Sequence, residues 1–193
     1  MKKALIIMIC IIASMNANAQ LNEITIDDGV AWVHRASDES ASARTVGLGY
    51  NYIRRWREDS NMAIVFGAKA FYGRSKSTIN SQTVKEHFVR FQIPLSLKYV
   101  FMTKRNLGIE PYAGADASYF LIGKSKMGNT KYDWFKTYNI FIKSVNRAHF
   151  GLHAGIDFSW SWMTLGLKYQ RDLTDFGAGE HFSMLEFKLA YRF

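Results

Sequence analysis

Apolar and polar residues alternate with a period of two along most of the chain, and the alternation is cleanest at its carboxyl end. In His181 to Phe193 (HFSMLEFKLAYRF), Leu185, Phe187, Leu189, Tyr191 and Phe193 share one face of an extended strand, while Glu186, Lys188 and Arg192 share the other. A helix would turn Glu186 and Lys188 about 200° apart, so the spacing predicts a strand.

The same division recurs upstream. Met163 to Gln170 sets Met163, Leu165, Leu167 and Tyr169 against Thr164, Gly166, Lys168 and Gln170. Arg147 to Trp160 sets Phe150, Leu152, Ile156, Phe158 and Trp160 against Arg147, His149, His153, Asp157 and Ser159. Ile109 to Leu121 opposes Ile109, Pro111, Tyr119 and Leu121 to Glu110, Tyr112, Asp116, Ser118 and Phe120. Val89 to Phe101 opposes Phe91, Ile93, Leu95, Leu97 and Tyr99 to Arg90, Gln92, Pro94, Ser96 and Lys98. Met62 to Tyr72 carries Ile64, Phe66 and Tyr72 opposite Lys69, and Val46, Leu48, Tyr50 and Tyr52 form the outer face of a further strand. A weaker strand is expected within Ile24 to Arg35, with Val30 and Trp32 outward. It is required physically, because single-chain bacterial barrels have an even strand number and an odd one leaves an open edge in lipid.

The pattern therefore predicts an all-β fold, an eight-stranded antiparallel transmembrane up-and-down β-barrel. Connections of unequal length agree. Arg55 to Asn61, Met102 to Leu107 and the region around Ser161 are compact, as periplasmic turns should be. Ser37 to Arg44, Gly73 to His87, Gly123 to Asn146 and Arg171 to Glu180 are longer and are expected as outer loops. Aromatic residues fall where interfacial girdles belong, with Tyr52, Trp56, Tyr99, Phe101, Trp160, Trp162, Tyr191 and Phe193 at one rim and Tyr72, Tyr119 and Phe150 near the other.

The amino terminus supplies the compartment. Lys2 and Lys3 precede an apolar run from Ala4 to Ala13, and Ala17-Asn18-Ala19 precedes Gln20, which is the three-part pattern of a secretory signal peptide. Residues 1–19 are expected to be removed, leaving 20–193 as the barrel domain of a Gram-negative outer-membrane protein. Cys10, the one cysteine, leaves with the leader. Ile9 before it argues against a lipoprotein signal, and no thiol chemistry is expected in the exported chain. Loss of Lys2 and Lys3 lowers the formal net charge from +9 to +7. A basic exported protein points to anionic partners such as lipid head groups or polysaccharide, and away from nucleic acid.

Phe91-Gln92-Ile93-Pro94-Leu95-Ser96-Leu97-Lys98-Tyr99 resembles the middle strand of the PorT-like small outer-membrane barrels of Bacteroidota. Glu110-Pro111-Tyr112-Ala113-Gly114 and Phe150-Gly151-Leu152-His153-Ala154-Gly155 resemble that family's fifth and sixth strands. Tyr169-Gln170-Arg171-Asp172-Leu173-Thr174-Asp175 resembles the end of its seventh, and Ala190-Tyr191-Arg192-Phe193 its closing motif. The likeness covers roughly residues 45 to 193, and the first strand departs from the family's glycine-rich opening. It implies an outer-membrane location and a barrel. Some members are associated with secretion, so a subunit of an envelope or protein-secretion assembly is one implied role; activity does not follow from fold.

The inner face is expected to hold a polar lattice of Lys69, Arg90, Lys98, Glu110, Asp116, Arg147, His149, His153, Asp157, Lys168, Glu186, Lys188 and Arg192. Both signs are present, as burial of charge demands. An eight-stranded interior is just wide enough for side chains to fill, so a plugged lumen is expected rather than a pore. His149, His153 and Asp157 recur every four residues, about 13 Å apart along a strand, too far for neighbours to share a zinc ion. No metal or cofactor is therefore expected. Ser144, His149 and Ser118 are the residues nearest to a nucleophile and base, but no nucleophile motif surrounds them.

Gly123 to Asn146 holds Lys124, Lys126, Lys131, Lys136 and Lys143 with Trp134 and other aromatics interleaved, and is the candidate surface-binding loop. Cations with aromatics suit anionic glycan, lipopolysaccharide or an envelope protein. The expected function is a non-enzymatic structural or surface-interaction role. The alternatives are the assembly subunit, an outer-membrane lipid-modifying enzyme, and a soluble lipocalin-like barrel in the periplasm.

Overall fold

The structure, a computed structural model, describes residues 21–34, 41–56, 60–79, 82–103, 107–128, 130–136, 146–175 and 181–193. The expected leader, the expected strand extension Thr137 to Lys143, and Ser144 lie outside the described residues. The strands are Leu21–His34 (β1), Ala41–Arg55 (β2), Met62–Ile79 (β3), Gln82–Tyr99 (β4), Phe101–Met102 (β5), Leu107–Met127 (β6), Thr130–Asp133 (β7), Ala148–Trp160 (β8), Met163–Asp172 (β9) and His181–Arg192 (β10). Eight of them close a single antiparallel barrel in the order β1, β2, β3, β4, β6, β8, β9, β10; β5 and β7 are short strands laid on β6.

Closure runs along β1 and β10, from Glu23 opposite Arg192 to His34 opposite His181. The weak first strand is thus fully formed, with Ile24, Ile26 and Val30 exposed and Glu23, Thr25 and Asp27 buried. Its alternation is faint in sequence because Asp28 interrupts the outward set. Arg44 on β2 covers that acid, its Nη2 lying 3.0 Å from Asp28 Oδ2.

Inward and outward positions follow the predicted parity. Aliphatic side chains such as Leu48, Leu95, Leu152 and Leu165 lie exposed on the outside, and Trp56, Phe101, Trp160, Trp162 and Phe193 form one exposed aromatic rim. Such a surface, apolar without and ionic within, is that of a barrel immersed in lipid. Both prolines sit where a ladder is interrupted. The β3–β4 register runs from Phe66 opposite Leu95 to Lys69 opposite Gln92 with no pair at Pro94, and the β4–β6 ladder ends at Lys98 opposite Tyr112, next to Pro111. A residue without an N–H is tolerated at such breaks.

Two expectations are corrected. Gly73 to His87 is not a loop: β3 and β4 continue as a paired hairpin as far as Ile79 opposite Gln82. Gly123 to Asn146 likewise begins as strand, since β6 runs on to Met127 and turns back through β7. Beyond the apolar band the outward positions of these segments turn polar while inward Val84 and Phe88 are apolar, so the period of two persists in the backbone while its apolar-outward signature disappears. Transmembrane strands need about 9–11 residues. The 18, 18 and 21 residues of β3, β4 and β6 therefore rise well past the band. A bulge opposite Val89 and Arg90 places both Leu121 and Ile122 outward.

Candidate functional site

The inward residues stack into layers along the barrel. Nearest the Phe193 end, Arg192 donates through Nη1 and Nη2 to the two oxygens of Glu110 at 2.8 and 2.6 Å, and its Nε reaches Glu23 Oε1 at 2.7 Å. Lys98 Nζ lies 3.0 Å from Glu110 Oε2 and 2.6 Å from Asp157 Oδ2, where Lys188 also binds at 2.6 Å. Ser159 donates to Glu110, and Asn51 to Glu23. In the middle layer Lys69 pairs with Asp27 at 2.8 Å and Lys168 with Glu186 at 2.6 Å. Above it Arg90 holds Asp172 at 2.7 Å, Ser118 accepts from the same guanidinium nitrogen at 2.6 Å, and Gln92 donates to Gln170.

Every residue expected in the lattice is buried except Arg147, which is exposed with its guanidinium 4.1 Å from the Phe135 ring centre. It precedes β8, where parity ceases to govern direction. Sequence reasoning missed Glu23, Asp27 and Asp172 as members. Counting back in twos from Val30 and Trp32 places the first two inward, and counting forward from Lys168 and Gln170 places the third there. With them, six buried cations (Lys69, Arg90, Lys98, Lys168, Lys188, Arg192) meet seven buried acids (Glu23, Asp27, Glu110, Asp116, Asp157, Asp172, Glu186) among the described residues. The lattice is close to self-neutral, as a side-chain-filled lumen requires.

An aromatic cap closes the layers toward the other rim. Ala31, Phe71, Phe88, Phe120, Phe182 and Met184 are buried together. The Arg90 guanidinium faces Phe182 at 4.6 Å and Phe120 at 5.4 Å, a cation–π arrangement that offers the sides of the ion no water. Trp134 and Phe135 pack over this cluster, and Trp134 Nε1 donates to Ser125 Oγ at 2.6 Å. Of the candidate loop residues, Trp134 thus turns inward. Lys124 and Lys126 project outward from β6, Lys131 is exposed on β7, Lys136 is exposed beyond it, and Lys143 lies outside the described residues.

One internal contact has chemical meaning that the sequence did not suggest. Ser96 Oγ lies 2.7 Å from His153 Nε2, and His153 Nδ1 lies 3.2 Å from Asp116 Oδ2. The carboxylate makes Nδ1 the donor, leaving Nε2 to accept from the serine hydroxyl. This is the atom order of a hydrolase triad. The adjoining cavity is about 30 Å³, room for one water. Ser96 sits mid-strand between Val65 and Gly114, so the backbone N–H groups around it are engaged in the ladders rather than gathered toward an oxyanion. His149, the base weighed from sequence, contacts the Asn146 carbonyl at 2.8 Å and Thr174 Oγ1 at 3.2 Å. Ser118 is taken by Arg90.

No protein-family model matches the sequence, and no curated protein matches it significantly. Solved structures do resemble the fold. The crystal structure of Ail, the attachment invasion locus protein of Yersinia pestis, aligns with a TM-score of 0.56 at 12% identity, covering 90% of this chain and 98% of that one. Neisserial surface protein A aligns at 0.52 with 14% identity, covering 89% and 97%. The outer membrane enzyme PagL aligns at 0.48 with 12% identity over 86% and 97%. Such identities speak to architecture alone, and the architecture of this chain is that of the small eight-stranded outer-membrane β-barrels.

Proposed function

We propose that this protein is an integral outer-membrane barrel of the PorT-like kind, exported through a cleaved leader, and that it acts without catalysis as a structural or surface-interaction element of the cell envelope. One observation carries the reading: the outside of a closed barrel is apolar all round while its inside is a matched, filled ionic lattice. Soluble monomers rarely expose contiguous apolar patches beyond a few hundred Å². A lipocalin-like barrel would carry its apolar side chains within. Kinship with the PorT-like barrels rests on the quoted motifs, whose Ile-Pro-Leu segment lies on β4 with Ile93 and Leu95 outward. In fractionated envelopes the protein is expected wholly in the outer membrane and to migrate differently on gels before and after boiling. Recovery in the soluble periplasm would overturn the reading.

The Ser96, His153 and Asp116 relay favours a second reading, a serine hydrolase acting on outer-membrane lipid. The water-sized cavity weighs against it, because an ester carbonyl with its substituents cannot reach Ser96. A fluorophosphonate probe applied to the membrane-inserted protein is expected to leave Ser96 unlabelled, and lipid A from cells with and without the protein to have the same mass. Labelling that disappears in Ser96→Ala would reverse the assignment.

A further inference from the structure

Above the apolar band, the outward face of the extended hairpins carries cations in register. In one row Arg44 stands opposite Arg74, Arg74 opposite His87, and His87 opposite Lys124. In the next row out, Lys76 stands opposite Lys85, Lys85 opposite Lys126, and Lys126 opposite Lys131. All eight side chains are exposed. Directly paired residues on antiparallel strands hold their Cβ atoms about 4.5–5.5 Å apart, where like charges repel. Four lysines across β3, β4, β6 and β7 therefore make a ladder that works against the fold in the free protein.

The contrast with the interior is sharp. Inside, every lysine and arginine has a carboxylate within ion-pair distance. Outside, none of Arg74, Lys76, Lys85, Lys124, Lys126 and Lys131 forms an ion pair among the described residues; within the two rows Arg44 has one, with Asp28. Two acids lie close by. Asp133 stands opposite Lys124, and Glu86 lines the same groove but is half-buried and accepts from Ser125 at 2.9 Å. The groove itself, about 410 Å³, runs between Tyr72 and the two rows.

Position identifies the anion. On β3 the outward series ends with Ala70 and Tyr72 and is followed at once by Arg74 and Lys76; on β4 it passes from Lys85 and His87 to Val89 and Phe91. Tyrosine marks the head-group level of a bilayer. The cations stand one and two registers beyond it, roughly 7 to 13 Å at about 3.3 Å per residue, and point sideways from the wall. A ligand arriving from the medium would meet loop tips first. A lipid beside the barrel meets this ladder with its head group.

We propose that the ladder of Lys76, Lys85, Lys126 and Lys131, with Arg74 and Lys124 beneath it, docks the phosphate groups of glycolipid in the surrounding outer leaflet. This rests on the membrane reading above and names the partner of the outward wall. Neutralisation by phosphate turns a repulsive array into a stabilising one, so binding and stability are coupled.

The test compares the full barrel with a variant carrying Lys76→Gln, Lys85→Gln, Lys126→Gln and Lys131→Gln. Both are inserted in phosphatidylcholine vesicles containing bisphosphorylated lipid A or lipid A stripped of its phosphates. Wild type is expected to retain the phosphorylated lipid and the variant to lose about six-hundredfold in affinity at low salt, at roughly fivefold for each of the four lysines. In pure phosphatidylcholine the variant is expected to unfold at equal or higher denaturant than wild type, and phosphorylated lipid A to raise the midpoint of wild type only. Failure of wild type to insert would overturn the membrane reading and this proposal with it. Insertion with equal retention of both lipids, or equal retention by both proteins, would overturn the ladder alone. Displacement by inorganic phosphate at millimolar concentration would assign the site to free phosphate and overturn the lipid.

Discussion

Replacing Glu110 with alanine is expected to destabilise the barrel by about 3–5 kcal/mol, the loss that follows when one member of a buried ion cluster is removed and its partners stay charged. Glu110 takes both terminal nitrogens of Arg192, the ammonium of Lys98 and the hydroxyl of Ser159. Without it two cations share Glu23 and Asp157, which already serve Lys188. Urea titration of the vesicle-inserted protein, followed by the heat-dependent gel shift, measures the loss. Removing a cation together with the acid should return much of it. In Glu110→Gln with Lys98→Gln, Arg192 keeps Glu23 at 2.7 Å and Asp157 keeps Lys188 at 2.6 Å, so charge is again matched. A coupling of about 1–3 kcal/mol between the two substitutions is expected. Strict additivity would mean that the lattice does not act as a unit.

The lattice was legible in the sequence to a degree the rest of the candidate site was not, for a physical reason. Inside the band each strand contrasts aliphatic with ionic neighbours, so parity reads directly, and Lys98, Asp157, Lys168 and Glu186 fall inward as the alternation requires. Where lipid ends, that contrast ends. Arg74, Lys76, Lys85 and His87 read as loop because the outward positions they hold are polar, yet they are as regularly paired as any residues in the barrel. The aromatic cap was hidden by the opposite ambiguity. Phe71, Phe88 and Phe182 are apolar but inward, and a rule that sends apolar side chains to lipid cannot foresee a plug built from them. Trp134 misled similarly: a tryptophan among lysines suggests a binding surface, whereas its indole covers Phe88 and Phe120 at ring separations of 5.9 and 6.4 Å. The contact of Ser96 with His153 joins β4 to β8 over Gly114 of the intervening β6, a relation that no pattern within one strand encodes.

Leu95→Arg is expected to be costly for a reason that applies in lipid and nowhere else. Leu95 is 54% exposed, and it lies midway along the outward series from Val89 on β4 to Phe101 on β5. On a soluble protein a substitution at such a position stays within about 0.5 kcal/mol. At the midplane of a bilayer an arginine on the lipid face costs about 2–4 kcal/mol, falling to about 0–1 near the interface. The same substitution at Val89, one register inside His87, should therefore be mild, and milder still when phosphorylated lipid A is present beside the lysine ladder. Both variants keep the lumen lattice intact, since neither side chain enters it. Unfolding in vesicles thus reads the surroundings of the wall and not its core: a gradient from Val89 to Leu95 measures lipid depth along one strand. Equal, small effects at the two positions would mean that water covers the apolar band, and the reading of the outward cations as head-group ligands would fall with it.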